Sequence, residues 1–153
     1  MGNSPSQNRS INVNGKTVVH TTSAGTQGIA NAIHADEILG GSFVNARATA
    51  EYILNSGAYE VSLVCRAWKR LLQRKRILYA RYIKGLLENK PIDLPSEIEK
   101  LKYTSGAKFF DPAQREVFPQ EDFSMCTDVD RFYLVLKLAK PESGIPYMTR
   151  QSV

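Results

Sequence analysis

Cysteine is nearly absent: Cys65 and Cys126 are the only two in 153 residues, too few and too separated for a disulfide framework. That scarcity fits a reducing compartment. Histidine is as scarce, with only His20 and His34. No His/Cys ligand spacing is present, so no metal site is expected, and neither histidine belongs to a catalytic constellation. No apolar run approaches the roughly 18 residues of a membrane-spanning helix. No apolar stretch follows the first residues, which excludes a secretory signal. A phosphate-binding glycine loop and a nucleophile elbow are also missing. The expectation from these absences is a non-enzymatic protein with no catalytic residue, no metal and no bound cofactor.

What is present begins at the N-terminus. Met1-Gly2-Asn3-Ser4-Pro5-Ser6 fits the pattern in which the initiator Met is removed and Gly2 is N-myristoylated. A covalent myristate on Gly2 places the protein in the cytoplasm and on the cytoplasmic face of a eukaryotic host membrane. A single acyl chain gives only marginal attachment, with a partition constant on the order of 10⁴ M⁻¹, so a second signal is needed.

Residues 61–87 offer that signal. They hold eight basic side chains, Arg66, Lys69, Arg70, Arg74, Lys75, Arg76, Arg81 and Lys84, and no acidic one. The whole chain is +5, so this +8 segment leaves −3 for the rest. The segment is rich in helix formers and has no glycine before Gly85. On a helical wheel Val61, Val64, Cys65, Trp68, Leu71, Leu72, Leu78, Tyr79, Tyr82, Ile83 and Leu86 share one face. Most of the basic residues share the other, with Lys75 among the apolar positions. Such a face is either a solvated surface or a site for anionic lipid or nucleic acid. Each cation near an anionic leaflet contributes about 1 kcal/mol.

Elsewhere, residues 10–22 alternate around Asn14-Gly15 and predict a β-hairpin. Residues 29–39 predict a short helix ended by Gly40-Gly41, and Ser42 caps a second helix over 43–54. The basic helix is expected over 59–88, stopped by Pro91, and a short helix over 96–103. Residues 108–123 read as a proline-punctuated loop. Residues 130–138 predict a strand, with Phe132, Leu134, Leu136 and Leu138 on one face and Tyr133, Val135 and Lys137 on the other. Glu121, Asp122, Asp128 and Asp130 read as a solvated acidic turn.

The expected fold is therefore α+β and mainly helical: an N-terminal β-hairpin, a helical core with one long basic amphipathic helix, and a C-terminal strand. Residues 1–9 form a flexible acylated leader, 10–140 a single globular domain, and 141–153 a flexible tail.

Two resemblances follow. Met1–Ser6 resembles the start of retroviral matrix proteins, which use an N-terminal myristate and a basic surface to bind the inner leaflet. That resemblance implies a peripheral membrane structural protein, with Gly2 as acceptor, the Arg66–Lys84 cluster on anionic membrane, and homo-oligomerisation to raise avidity. Asp36-Glu37-Ile38-Leu39, with residues 61–71, resembles the two ends of an F-box. It implies an adaptor that binds a protein partner through Val61, Trp68 and Leu71. Nucleic-acid binding by the same basic helix is the third expectation, because phosphates and headgroups attract cations by the same Coulomb force.

Overall fold

The computed structural model describes residues 3–19, 25–65 and 73–153, with side chains described from residue 77 onward in the last stretch. Six α-helices and a three-stranded antiparallel sheet make an α+β fold among these residues. The helices are α1 (Pro5–Asn8), α2 (Gly25–Asn31), α3 (Ala46–Asn55), α4 (Gln73–Leu87), α5 (Leu94–Lys102) and α6 (Gln120–Cys126). The strands are β1 (Leu39–Gly40), β2 (Val135–Ala139) and β3 (Tyr147–Gln151), in the order β1-β2-β3.

Helix α3 begins as the sequence suggests. A 3-10 turn, Phe43–Asn45, leads in from Ser42. The Asn45 Oδ1 accepts the Ser42 N–H at 2.9 Å, closing the turn. Ala46 and Ala50, one turn apart, are nearly fully buried against Ile83 of α4. Small side chains on α3 let a bulky one on α4 fill the gap. The second core cluster joins Phe43, Leu78, Leu94, Leu101 and Phe123. Asp93 caps α5: its carboxylate accepts the Ser96 N–H at 3.3 Å and the Ser96 hydroxyl at 2.6 Å. The two serine donors hold the Asp93 carboxyl below its usual value.

Several expectations need correction. The Asn14-Gly15 turn forms, with Gly15 at φ +69, but no strand flanks it among the described residues. Its flanks are exposed, so no buried face holds a ladder together. The helix expected from residue 59 is not helical over 59–65, and α4 spans Gln73–Leu87 instead. Val61 and Val64 are therefore exposed rather than on an apolar helix face. The helix expected over 29–39 is α2, placed earlier; residues 32–38 are turn and irregular backbone, and Leu39 enters β1. The loop expected over 108–123 contains two 3-10 turns and the start of α6.

The expected strand is shorter, Val135–Ala139. Val135 is fully buried while Leu136 is 39% exposed. Apolar residues fill both faces here, so alternation alone cannot say which side meets α3. Beyond Pro141 the chain returns as β3, pairing Leu136 with Arg150 and Leu138 with Met148. The first residues are likewise attached. Asp122 on α6, only 4% exposed, accepts the Ser6 N–H at 2.9 Å and the Ser6 hydroxyl at 2.6 Å. Burial pushes the Asp122 carboxyl up, but the Ser6 and Ser4 donors outweigh it and leave it lowered.

Candidate functional site

The best-organised polar site lies where β1 hands over to α3. Gly40-Gly41-Ser42 makes the junction. Gly41 packs so closely on the Tyr79 ring that an added Cβ would lie 2.0 Å from the phenol oxygen. Only glycine fits this approach. Asn45, 4% exposed, braces the junction: its Nδ2 donates to the carbonyls of Gly40 and Leu134, both at 3.4 Å.

Asp130 reaches the same place from the segment before β2. Its backbone is left-handed, at φ +59, a region Asp and Asn tolerate better than most side chains. Its N–H donates to the Phe43 carbonyl at 3.0 Å. Its Oδ1 accepts the Arg47 N–H, in the first turn of α3, at 2.7 Å. A carboxylate here satisfies an otherwise orphaned helix donor and complements the helix dipole. Its Oδ2 lies 3.4 Å from Arg47 Nε and 3.4 Å from the Tyr82 hydroxyl. Burial, then the Asp130 charge, raises the Tyr82 phenol above its usual value. Burial likewise pushes Tyr79 up to about 12. Both phenols therefore stay protonated at neutral pH, and the Tyr82 hydroxyl donates to Asp130. The Arg47 side chain is 59% exposed, so its guanidinium has donors to spare for a solvent-side anion.

A second polar cluster flanks the first. Lys137 on β2 pairs with Glu37 and donates to the Tyr52 hydroxyl at 3.1 Å. The Lys137 bond holds Glu37 low and the Glu37 bond holds Lys137 high. Glu51 of α3 accepts the Tyr133 hydroxyl at 2.5 Å, which raises that phenol.

The acidic turn expected at 121–130 is split by the fold. Asp122 anchors α1, Asp130 caps α3, and Asp128 pairs with Arg131 at 2.8 Å. A shallow depression of about 520 Å³ lies nearby, lined by Glu99, Lys102, Phe110, Gln120, Ser124 and Asp128 among others. Lys102 is paired with Glu99 there, so the lining attracts no anion. No group of three potential metal ligands occurs among the described residues.

The residues singled out from sequence fare unevenly. Gly2, Arg66, Trp68, Lys69, Arg70 and Leu71 lie outside the described residues. Arg74, Lys75 and Arg76 lie on the first turn of α4, with side chains outside the description. Arg81 stands 3.9 Å from Glu97 and Lys84 3.6 Å from Glu88, so both are partly neutralised on the surface. No helix among the described residues is long and apolar enough to cross a membrane. The junction residues Gly41, Asn45, Arg47, Tyr82 and Asp130 were not expected as a site. Gly-Gly-Ser ahead of a helix was a visible signal, but only of a cap; Arg47 and Asp130 are 83 residues apart in sequence.

Comparison with known proteins identifies the lineage. The 2-phosphosulpholactate phosphatase family model matches residues 1–141, and the chain belongs to that family. It is 38% identical over 96 residues to a probable 2-phosphosulfolactate phosphatase of Caldicellulosiruptor saccharolyticus, covering 60% of this chain and 40% of that protein. It is 26% identical over 151 residues to the Bacillus subtilis protein of the same description, covering 98% of this chain and 65% of the relative. The Caldanaerobacter subterraneus relative is 29% identical over 150 residues, covering 90% and 62%. The chain thus spans less than two thirds of these relatives' lengths. No solved structure gives a significant match.

This match overturns three expectations. The matrix-like myristoylated membrane role, the F-box adaptor and the nucleic-acid reading all give way to membership in a phosphatase family. The expectation of a non-enzymatic protein falls with them. The physical reason is plain: clustered Lys and Arg report affinity for anions, and a phosphate ester is as good an anion as a headgroup.

Proposed function

We propose that this chain works in the hydrolysis of 2-phosphosulfolactate, releasing inorganic phosphate. The observation that carries the reading is the family match over residues 1–141. The substrate's name specifies its chemistry: a phosphate ester, a carboxylate and a sulfonate on one small carbon skeleton. Three acidic groups call for cations and backbone donors. The concentrated positive charge of residues 61–87 supplies an attractive field, and its cations Arg66, Lys69, Arg70, Arg74, Lys75, Arg76, Arg81 and Lys84 are candidates for drawing the substrate in.

Arg47 is the candidate direct contact. The Asp130 carboxylate fixes its backbone and its Nε side, and the exposed end of its guanidinium can take a phosphate or sulfonate oxygen pair. Asn45, Tyr82 and Asp130 act on substrate through Arg47 and the Gly40–Ser42 junction, as positioning residues.

The test is phosphate release from 2-phosphosulfolactate and from 2-phospholactate, which lacks the sulfonate, each with and without divalent cation. Faster release from the sulfonated ester supports the reading. Arg47→Ala is expected to raise KM several-fold with a smaller effect on kcat, because it removes binding common to ground and transition states. Equal rates on both esters would remove the sulfonate from recognition. No release from either would remove the activity.

A further inference from the structure

Strand β3 has an open edge. Among the described residues it pairs with β2 alone. The ladder itself tells which backbone groups face that edge. In antiparallel pairing the N–H and C=O of one residue point to the same side, and successive residues alternate. The Leu138 N–H donates to the Ile38 carbonyl at 2.9 Å, so Leu138 and Leu136 point towards β1. Val135, Lys137 and Ala139 therefore point towards β3, where they stand opposite Gln151, Thr149 and Tyr147. Met148 and Arg150 are left with N–H and C=O turned outward. Such groups are a template for strand addition.

The residues along the edge specify what it fits. Two antiparallel copies of β3 can meet about a two-fold axis when outward groups face outward groups. Centred on Met148, the pairing sets Arg150 opposite the other copy's Pro146, which has no N–H to donate. Centred on Arg150, it sets two like charges directly opposite. Centred on Thr149, it sets Met148 of each copy opposite Arg150 of the other, and every outward N–H and C=O gains a partner. Thr149 then meets its own counterpart, a favourable cross-strand pair, and Tyr147 meets Gln151. In the same register Ile145, 86% exposed, stands opposite Val153, 36% exposed, so apolar side chains meet at both ends.

We propose that β3 is a dimerisation edge of this chain: a second copy adds its own β3 antiparallel, centred on Thr149, to make one sheet continuous across both copies. The strand is short, so the contact is smaller than a standard interface and the dimer is weak and reversible. The pairing is independent of the reaction proposed above.

Sedimentation equilibrium of the full chain over a concentration series reads the mass, and hydrogen exchange reads the Met148 and Arg150 amides. The expected result is a monomer–dimer equilibrium in which exchange at those amides slows about tenfold or more as concentration rises. The Thr149 amide, which faces β2, is expected to change little. Met148→Arg sets two cations opposite each other at both symmetry-related pairs and is expected to weaken the dimer about tenfold. Met148→Glu sets a carboxylate opposite Arg150 and is expected to keep or tighten it. Both variants lose the same packing of Met148 near Gly40, so a merely structural effect would move them together. Circular dichroism of the dilute variants checks that each is folded. A monomer at every concentration would overturn the proposal. So would a dimer that leaves the Met148 and Arg150 amides unprotected, or equal weakening by the two substitutions. Protection of those amides in the dilute monomer would show the edge already paired and would overturn it too.

Discussion

Asp130 joins three features at one residue, so substituting it separates their contributions. Asp130→Asn keeps an acceptor for the Arg47 N–H and keeps a residue that tolerates φ +59. It removes the charge. A charge at a helix N-terminus contributes about 0.3–1 kcal/mol. A half-exposed ion pair such as Arg47–Asp130 adds about 0–1 kcal/mol. The expected loss is therefore about 1 kcal/mol. Asp130→Ala loses the cap as well, about 1 kcal/mol more. It also puts a residue without a local polar side chain into the left-handed region, which costs of order 1 kcal/mol again. The total is about 3 kcal/mol. In a domain of this size each kcal/mol lowers Tm by about 2–4 °C. Thermal unfolding followed by circular dichroism is thus expected to show Asn down by about 2–4 °C and Ala by about 6–12 °C. Equal shifts for the two variants would refute the cap and backbone reasoning. A shift for Asn larger than for Ala would refute the charge reasoning as well.

Other outcomes follow from the same structure. Asp122→Ala removes the acceptor of two Ser6 donors, and is expected to cost about 2 kcal/mol and free α1, read by hydrogen exchange over residues 5–8. Because the Asp122 carboxyl is lowered on folding, its contribution is complete above the usual value of 3.8 and is lost as pH falls below it. The difference in stability between wild type and Asp122→Ala is therefore expected to shrink in acid titration below about pH 4. Gly106→Ala places a Cβ 2.7 Å from the Leu101 carbonyl and 2.5 Å from the Phe123 ring, and is expected to cost about 1–3 kcal/mol by denaturant unfolding. Phosphate release is expected to slow with added salt through kcat/KM, since screening weakens the field of the basic segment; insensitivity to salt would remove those cations from substrate capture.

Local signals were legible in the sequence. Ser42 placed α3 within a few residues, and the short helix expected over 96–103 is α5, begun two residues earlier at Leu94. Errors came where the deciding contact is remote. The buried face of β2 is set by Val135, fully buried, and nothing within residues 130–138 encodes that choice. The attachment of α1 depends on Asp122, 116 residues away from Ser6. Arg47 and Asp130 meet only because the segment before β2 passes the start of α3. The function was obscured for a different reason. A run of Lys and Arg reports a preference for anions and nothing about which anion, and the junction shows a positioning arrangement rather than a nucleophile with its base.

The central claim is best tested by ³¹P NMR of 2-phosphosulfolactate incubated with the chain and with its Arg47→Ala variant, each with and without divalent cation. Conversion of the ester signal into inorganic phosphate, weakened by Arg47→Ala, is the result expected of a working member of this family. An ester signal unchanged under every condition would contradict it.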